Sequence, residues 1–411
     1  MKQLLAVAAA ISMVGGQAPA PVTVIRAARM IAGTAGTMTG PAVVVIRGDR
    51  IASTGSTSQI PGGARIIDLG GATLLPGLID LHTHLTSTNV HWEDELLKTT
   101  PGQAALHGAH NALVTLMAGF TTCRDMGPTW PFTDIDLRKA IDEGVVPGPR
   151  VLASGNYISP TGGAGDARQF SIFVDVPIVR NLADGPDEVR KAVRTNLKQG
   201  ADFIKILGTG AVLSKGAPPG GQQYSEEEMH VAAHLHGTAG IKAGIRAGVH
   251  TIDHGSMMDD EAVELLRTHH AYFVPTVYTS EAIAQNPSVP ESEKVRSKQI
   301  TAMKDASFQL VLKAGLPIGF ATDAAVVPHG QNGREFGYRV RLGQSPIAAI
   351  LSATKTAAEI IGWSDRVGTI EAGKFADVIA VAGDPLRDIT ELERVTFVMK
   401  DGTVYKHDAL K

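Results

Sequence analysis

Eight short apolar segments recur through the middle of the chain, and most are followed by a polar loop and a helical stretch. In order they read GLIDLHTH, FTTCRDMG, RVLASGNYIS, DFIKILGTG, VAAHLHG, HTIDHGS, YFVPTV and PIGFATDA. Strands that alternate with helices favour a parallel sheet, and eight such units in series favour a closed (β/α)8 barrel over an open sheet. Active sites of these barrels lie at the carboxyl ends of the strands, so the polar residues that close the strands are the first functional candidates.

The two ends of the chain differ from the middle because they are rich in short strands broken by glycine. PAVVVIRGDRIASTG near the start and VTFVMKDGTVY near the end are alternating segments with Gly-Asp or Asp-Gly turns. We expect both ends to build one small β-sandwich beside the barrel. The predicted sandwich comprises residues 21–75 and 366–411, and the predicted barrel comprises residues 76–365.

The first 20 residues predict export. The stretch MKQLLAVAAAISMVGGQAPA has a lysine near its start, an apolar run, and small residues around Gln17–Ala20. This pattern is typical of a cleaved secretory signal peptide, and the apolar run is shorter than the ~20 residues that cross a membrane. We expect an exported protein, periplasmic in a Gram-negative source, with no membrane partner.

The charge balance and the cysteine count exclude two classes of site. The chain has 38 basic and 41 acidic residues, a net charge of −3 and no basic block. It therefore lacks the electrostatic footprint of a nucleic-acid-binding protein. Cys123 is the only cysteine, which rules out an intrachain disulfide and a cysteine-based zinc site. A metal ion would have to be held by His, Asp, Glu or a modified Lys.

Two His-x-His pairs close predicted strands. His82 and His84 follow one strand, and His234 and His236 follow another. Residues two apart on a strand face the same side, which suits two ligands of one cation. A single pair of this kind is weak evidence, because chance or a hydrogen-bonded pair also explains it. Their recurrence at strand ends favours a metal site.

Three further residues extend this pattern. His254 in TIDHG and Asp323 in GFATDA close two other strands, and Lys205 lies within the apolar strand DFIKILGTG. A buried lysine amine is easier to deprotonate, and a neutral amine can react with CO2 to give a carbamate that bridges two metal ions. A lysine that snorkels to the barrel rim or pairs with an acid is the alternative. The neighbouring histidines favour the carbamate.

The order of these motifs resembles that of the amidohydrolase superfamily. PGLIDLHTH, the strand lysine, HLHG, DHG and TDA stand in the family's order, and the closing GTIEAGKFADVIAVAGDPLRD is very similar to its terminal strand signature. GFTTCRDMG, SPTGGAGD and SATKTAAEIIGWSDRVGTIEAGK resemble the imidazolonepropionase-like branch, which contains Xaa-Pro dipeptidases, related carboxypeptidases and ochratoxin-degrading amidohydrolases. The likeness covers nearly everything after the leader.

The resemblance implies a centre with two divalent metal ions, usually zinc. Its ligands would be His82, His84 and Asp323 for the first ion, His234 and His254 for the second, and N6-carboxylated Lys205 as the bridge between them. The bridging hydroxide would attack an amide, because coordination lowers the pKa of water towards ~7. Asp323 would act as general base and then deliver the proton to the leaving amine. His236 would polarise the substrate carbonyl, or alternatively would orient the metal ligands.

Several residues near strand ends are weaker candidates for substrate binding. Tyr157, Ser159 and His329 lie at or after predicted strand ends, and Tyr157 is the best of the three. Lys215 and Arg334 could bind a substrate carboxylate, although solvation would equally explain both.

The chain departs from the family pattern in two places. Ala164 in SPTGGAGD stands where the family usually carries His, through either drift or a deliberate substitution. Only four residues, His230 to Ala233, separate Met229 from His234, where relatives carry a helix and most of the fifth strand. A barrel crossover needs about 10–12 residues including its helix. We therefore expect the fourth helix to be missing and the metal site to be loosely held.

The leading hypothesis is a metal-dependent amidohydrolase that cleaves a peptide-like amide. The resemblance implies a small-molecule or dipeptide-like substrate, either an N-acyl amino acid such as an ochratoxin-type aryl amide or an Xaa-Pro dipeptide, and a homo-oligomeric assembly. One alternative is a cyclic-amide hydrolase of the imidazolonepropionase type. The other is a catalytically impaired relative that acts as a binding protein, which Ala164 and the short connection before His234 would favour.

Overall fold

A computed structural model of the chain describes residues 21–34, 36–55, 60–87, 92–166, 171, 173–174, 182–214, 218–229 and 232–409. The predicted signal peptide, residues 1–20, lies outside this part, as do Lys215, His230 and Val231. Export, homo-oligomeric assembly and the domain bounds stay predictions. None of the helices in the described part is long and apolar enough to cross a membrane.

Strands dominate both ends of the chain, and strands alternate with helices between them. The strands are β1 (Val22–Ala27), β2 (Arg29–Ile31), β3 (Met38–Thr39), β4 (Ala42–Arg47), β5 (Arg50–Gly55), β6 (Arg65–Asp68), β7 (Thr73–Pro76), β8 (Leu78–Thr83), β9 (Phe120–Asp125), β10 (Arg150–Ala153), β11 (Lys205–Leu207), β12 (Ala232–Leu235), β13 (Thr251–His254), β14 (Tyr272–Val274), β15 (Val378–Val381), β16 (Phe397–Lys400) and β17 (Thr403–His407). The helices are α1 (Trp92–Lys98), α2 (Pro101–Met117), α3 (Thr133–Asp142), α4 (Gly185–Gln199), α5 (Thr238–Arg246), α6 (Asp260–Thr268), α7 (Thr279–Gln285), α8 (Glu291–Lys313), α9 (Arg334–Arg341), α10 (Pro346–Ser352) and α11 (Lys355–Ile360). Short 3₁₀ helices span Glu226–Glu228 and Ile389–Glu393.

The first and last strands build a sandwich of two sheets. One sheet has the order β5-β4-β1-β6, and the other has the order β17-β16-β15-β7-β2-β3. β7 pairs antiparallel with β15, so strands from both ends of the chain share one sheet. Alternate side chains of each strand point to the interior, as the two-residue period requires, and the core between the sheets includes Ile25, Val44, Leu74, Val378 and Phe397. The predicted sandwich of both termini is confirmed.

Eight parallel segments form a circle in the middle of the chain. β8, β9 and β10 make one parallel sheet, and β11 to β14 make another. The segment 318–324 lies between β14 and β8 and bridges to both. The backbone hydrogen bonds that join the sheets and this segment include Ile158 N to Lys205 O at 2.8 Å, Gly319 N to Phe273 O at 2.8 Å, and Leu81 N to Phe320 O at 3.0 Å. This circle agrees with the predicted (β/α)8 barrel.

β8 joins the sandwich to the barrel and is buried along its whole length. Every residue of LIDLHT is buried, including Asp80 and His82, because a barrel strand is covered on both faces. Gly77 separates β7 from β8, and a Cβ atom there would collide with the side chain of Thr121. Glycine at this position therefore lets the chain pass close to β9 as it enters the barrel.

The connection from β11 to β12 lacks an α-helix among its described residues, as expected from its length. Its only helical turn is the 3₁₀ helix Glu226–Glu228, which Ser225 and Glu228 cap reciprocally. β12 is nevertheless paired on both sides, with His234 opposite Leu207 of β11 and opposite Asp253 of β13. The two neighbouring strands fix the register of β12, although the described part of the connection before it provides no α-helix.

Arg150 connects the first residue of β10 to the sandwich. Its guanidinium donates to both carboxylate oxygens of Asp377 and to Asp401, and it lies 4.1 Å from the centre of the Phe375 ring. The side chains of Arg150 and Asp377 are only 12% and 4% exposed. A buried carboxylate that loses its cation partner is costly, so this contact holds barrel and sandwich together.

We predict that Arg150→Met lowers the free energy of unfolding by about 3 kcal/mol, because it leaves Asp377 buried and unpaired. Urea unfolding followed by circular dichroism measures the change. Arg26→Met is the matched control, since Arg26 pairs with Asp68 at an exposed site, and its loss should cost less than about 1 kcal/mol. Equal losses in the two variants would contradict the role given to Arg150.

Candidate metal centre

The first group of candidate ligands lies at the end of β8. His82 and His84 project to the same side, and Asp323 Oδ1 lies 3.6 Å from the Nε2 atom of each ring. His84 Nδ1 is 2.7 Å from Gly127 O, so Nδ1 carries the proton and Nε2 is left with a lone pair towards Asp323. One ligand atom from each of these three residues lies within 4.8 Å of the others.

A second group shares His82 with the first. His234 on β12 and His254 at the end of β13 bring ligand atoms within 4.8 Å of each other and of His82. His254 Nδ1 is 2.7 Å from Thr276 Oγ1, which orients the ring. His234 Nε2, His254 Nε2 and His82 Nδ1 are buried without a hydrogen-bond partner. Buried polar atoms are normally paired, so the Nε2 atoms of His234 and His254 fit a role as metal ligands.

Lys205 lies between the two groups at the start of β11. Its side chain is 1% exposed, and its Nζ is 3.4 Å from His82 Nε2. Burial lowers the pKa of Lys205 to about 8, although the charges of Asp253 and Asp323 oppose this shift. The amine is therefore easier to deprotonate than an exposed lysine, as the carbamate hypothesis requires.

The four histidines of the two groups are held in the neutral form. Burial lowers the pKa of His84 to about 3, and it lowers those of His82, His234 and His254 well below the ordinary value. A neutral imidazole keeps a lone pair for a metal ion. Neutral imidazoles with a carboxylate are a donor set that zinc binds, so the residues present fit the implied ions.

The backbone is unusual at two of these residues. His254 and Asp323 have positive φ angles of 67° and 59°, a left-handed conformation that non-glycine residues rarely adopt. Asp323 is held there by its own N–H, which donates to His82 O at 2.9 Å. Such conformations cluster at functional sites, where the surrounding structure imposes them.

Asp80 ties the β8 segment to the segment that carries Asp323. Its Oδ1 accepts from the N–H groups of His82 and Thr322, both at 3.1 Å. Its Oδ2 accepts from Thr322 Oγ1 at 2.6 Å and from Asn332 Nδ2 at 2.8 Å. Although burial raises the pKa of Asp80 to about 6, these four bonds oppose the shift. These bonds fix β8 relative to the segment 318–324, and they therefore fix His82 relative to Asp323.

His236 follows β12 and faces the same region as His234 and His254. Its ring centre is 4.7 Å from that of His234 and 4.9 Å from that of His254. Its Nδ1 is 2.8 Å from Ser256 Oγ, and its backbone N–H donates to Thr209 Oγ1 at 3.0 Å. Burial lowers the pKa of His236 to about 3, so the ring is neutral at physiological pH.

Two cavities meet at the ligands. The first, of about 150 Å3, is lined by Tyr157 and Ala164 and by apolar side chains including Met126, Leu207 and Val326. The second, of about 90 Å3, is lined by His236, His254 and polar residues of α7 and α8. His234 and Asp323 line both cavities, so a substrate that occupies both would cross the candidate centre.

The weaker candidates lie in different surroundings. Tyr157 lines the first cavity, whereas Ser159 is fully buried and its Oγ accepts from Gly165 N at 3.0 Å within its own loop. His329 Nδ1 is 3.5 Å from Thr115 Oγ1, and Arg334 donates to Tyr278 Oη at 3.0 Å. These contacts give Ser159, His329 and Arg334 structural partners, and none of the three lines either of the two cavities.

Sequence reasoning missed Lys304, the buried cation of the second cavity. It lies within the ordinary helical stretch SKQITAMKDASFQLV, where a lysine attracts no notice. Its spacing from Ile300 and Phe308, four residues on either side, could have placed it on the buried face of the helix.

Comparison with known proteins shows which family this chain resembles. A model of the Amidohydrolase family matches residues 73–405. An ochratoxinase from Aspergillus niger is 32% identical, over 94% of this chain and 87% of its own length. A solved Xaa-Pro dipeptidase with methionine bound in its active site superposes with a TM-score of 0.87 at 35% identity, over 94% of this chain and 100% of its own.

A second solved relative is a prolidase complexed with N-methylphosphonate-L-proline. It superposes with a TM-score of 0.85 at 29% identity, over 94% of this chain and 100% of its own. The family model covers most of the chain, and these relatives span nearly all of it. The chain therefore belongs to the amidohydrolase family.

Proposed function

We propose that this protein is a metal-dependent amidohydrolase that hydrolyses a peptide-like amide bond. Its substrate would be an N-acyl amino acid, such as an ochratoxin-type aryl amide, or an Xaa-Pro dipeptide. The observation that carries the proposal is the pair of ligand groups that share His82, next to a buried Lys205, where two cavities meet. The ochratoxinase, dipeptidase and prolidase relatives favour a linear amide over a cyclic one.

The six residues already described would hold two divalent ions, with zinc as the preferred identity. His82, His84 and Asp323 would hold one ion, His234 and His254 would hold the other, and N6-carboxylated Lys205 would bridge them. When bound, such ions supply Lewis acidity and lower the pKa of a water molecule.

Formation of the carbamate at Lys205 needs a neutral amine. The Nζ atom attacks the carbon of CO2, so that an N–C bond forms while one C–O π bond breaks and its electron pair moves to oxygen. One amine proton then passes to water. The lowered pKa of Lys205, about 8, makes this attack accessible near neutral pH. The product is an anion in a pocket of neutral imidazoles, where two cations would balance its charge.

Asp323 is placed to move the proton of the reaction. Burial raises its pKa to about 6, while the charge of Lys205 opposes this shift, so the carboxylate is largely ionised at neutral pH. It would accept a proton from the attacking water and deliver it to the nitrogen of the leaving amine. A carboxylate that takes up a proton in the first step can donate it in the second.

His236 would bind the carbonyl oxygen of the substrate. If Ser256 Oγ–H donates to Nδ1, the proton of the neutral ring lies on Nε2, from which it can be donated to the substrate. A donor that meets the developing oxyanion lowers the barrier more than it strengthens substrate binding.

The decisive assay compares three amides with the zinc-loaded protein: an N-acyl-phenylalanine, the dipeptide Ala-Pro, and imidazolone propionate. We expect turnover of one of the first two, together with about two zinc ions per chain by elemental analysis. Turnover of imidazolone propionate alone would favour the cyclic-amide alternative. A folded protein with near-zero zinc and no turnover would favour a binding protein.

We predict that Lys205→Ala loses bound zinc and activity together, because the bridge between the ions is removed. Small carboxylic acids such as acetate should restore part of both, since their two oxygens can occupy the place of the carbamate. Lys313→Ala, which removes an exposed lysine, is the control and should keep full activity. Full activity of Lys205→Ala would remove the carbamate from the mechanism.

We predict that His236→Phe lowers kcat by about 100-fold while two zinc ions remain bound, because the donor to the carbonyl oxygen is lost. Kinetics with the preferred substrate and elemental analysis of the same sample measure both effects. If the variant loses zinc in step with activity, His236 instead orients the metal ligands.

A further inference from the structure

Lys304 is a buried cation in the second cavity, beside the candidate centre. It lies on α8, its residue is 3% exposed, and it shares the cavity lining with His236, His254 and Asp323. Lysine is almost never buried this deeply without a partner. The identity of its hydrogen-bond acceptors therefore decides what the side chain can do.

All three hydrogen bonds of Lys304 are made to neutral oxygens. Its Nζ donates to Thr276 O at 3.3 Å, to Thr279 Oγ1 at 2.9 Å and to Ser280 Oγ at 2.6 Å. These acceptors orient the ammonium group but do not neutralise it.

No carboxylate among the described residues forms an ion pair with Lys304. The charges of Glu335, Asp305 and Asp323 act on Lys304 without contact, and Glu335 is already paired with Arg339 at 2.7 Å. Burial lowers the pKa of Lys304 to about 8, so the ammonium form still predominates at neutral pH. A buried ammonium without an anion is costly, and the site is therefore suited to receive one.

The two cavities differ in the chemistry of their walls. Leu213 lines both cavities. Apart from this residue and the groups of the centre, the first cavity adds Met126 and Pro128, whereas the second adds Lys304 with threonine and serine hydroxyls to its own apolar residues, such as Ile300. When an amide bond is cleaved at the candidate centre, the acyl half of the substrate lies in one cavity and the amine half lies in the other. An apolar acyl group fits the first wall, and a carboxylate fits the second.

We propose that Lys304 binds the α-carboxylate of the amino-acid half of the substrate in the second cavity, while the acyl half occupies the first cavity. This inference rests on the proposed function and adds a specificity residue and a direction of binding to it. It implies that the enzyme requires a free carboxylate next to the scissile amide, as an enzyme acting on the C-terminal bond of a short peptide does.

The wild-type enzyme gives the first test, with N-benzoyl-L-phenylalanine and its carboxamide as paired substrates. We expect kcat/KM to be about 10- to 100-fold higher for the acid, the range expected when one charge-assisted hydrogen bond is gained. Equal values for acid and carboxamide would overturn the inference while leaving the proposed amidohydrolase function intact.

The second test replaces the cation with an apolar side chain of similar length, in Lys304→Met. We expect kcat/KM for the acid to fall about 10- to 100-fold, mainly through KM, and that for the carboxamide to stay within about twofold. Lys313→Met is the matched control, because it removes an exposed lysine from the same helix. Equal losses for acid and carboxamide would show a structural role and overturn the inference.

Calorimetry separates failure of this inference from failure of the proposed function. With zinc-loaded wild-type protein, N-benzoyl-L-phenylalanine should bind at least about 10-fold more tightly than its carboxamide, even if neither compound is turned over. Lys304→Met should abolish that preference. Absence of a preference in the wild type overturns the inference, and this result stands even if the variant fails to fold.

Discussion

The candidate centre depends on imidazole rings that are buried and consequently uncharged. Neutral rings can crowd together, as His234 and His254 do at 4.2 Å between ring centres, whereas protonated rings would repel one another. Outward hydrogen bonds, such as that of His84 to Gly127 O, leave the inward nitrogens with lone pairs. Asp323 and, once carboxylated as proposed, Lys205 would supply the negative charge that neutral rings lack.

The fold and the ligand groups were largely predictable, since both depend on local pattern. A strand end followed by His-x-His places two rings on one face, and strands of a parallel barrel bring their carboxyl ends together. The hydrogen bonds that Asp80 accepts from Thr322 and Asn332 were not predictable, because these partners are about 250 residues away in the chain. The hydrogen bond that Ser159 Oγ accepts from the N–H of Gly165 was not predictable either, because nothing in the sequence indicates it.

The connection before β12, which has no α-helix among its described residues, shows that neighbouring strands and loops can position a barrel strand. The loop before β12 packs against the turn after it, where a Cβ atom on Gly237 would collide with Gly220 O. Tyr224 Oη donates to Ala183 O at 2.6 Å, which anchors the same loop to the preceding crossover. Together with pairing on both edges, these contacts keep His234 among the candidate ligands.

The shared sheet of the sandwich bears on how the chain folds as it is synthesised. β7 leads directly into β8 and its two histidines, yet its antiparallel neighbour β15 emerges from the ribosome about 300 residues later. Until then the edge of β7 is open to pairing with other chains. β7 therefore lacks one of its two neighbours through most of synthesis, and a stalled or truncated chain would expose an aggregation-prone strand.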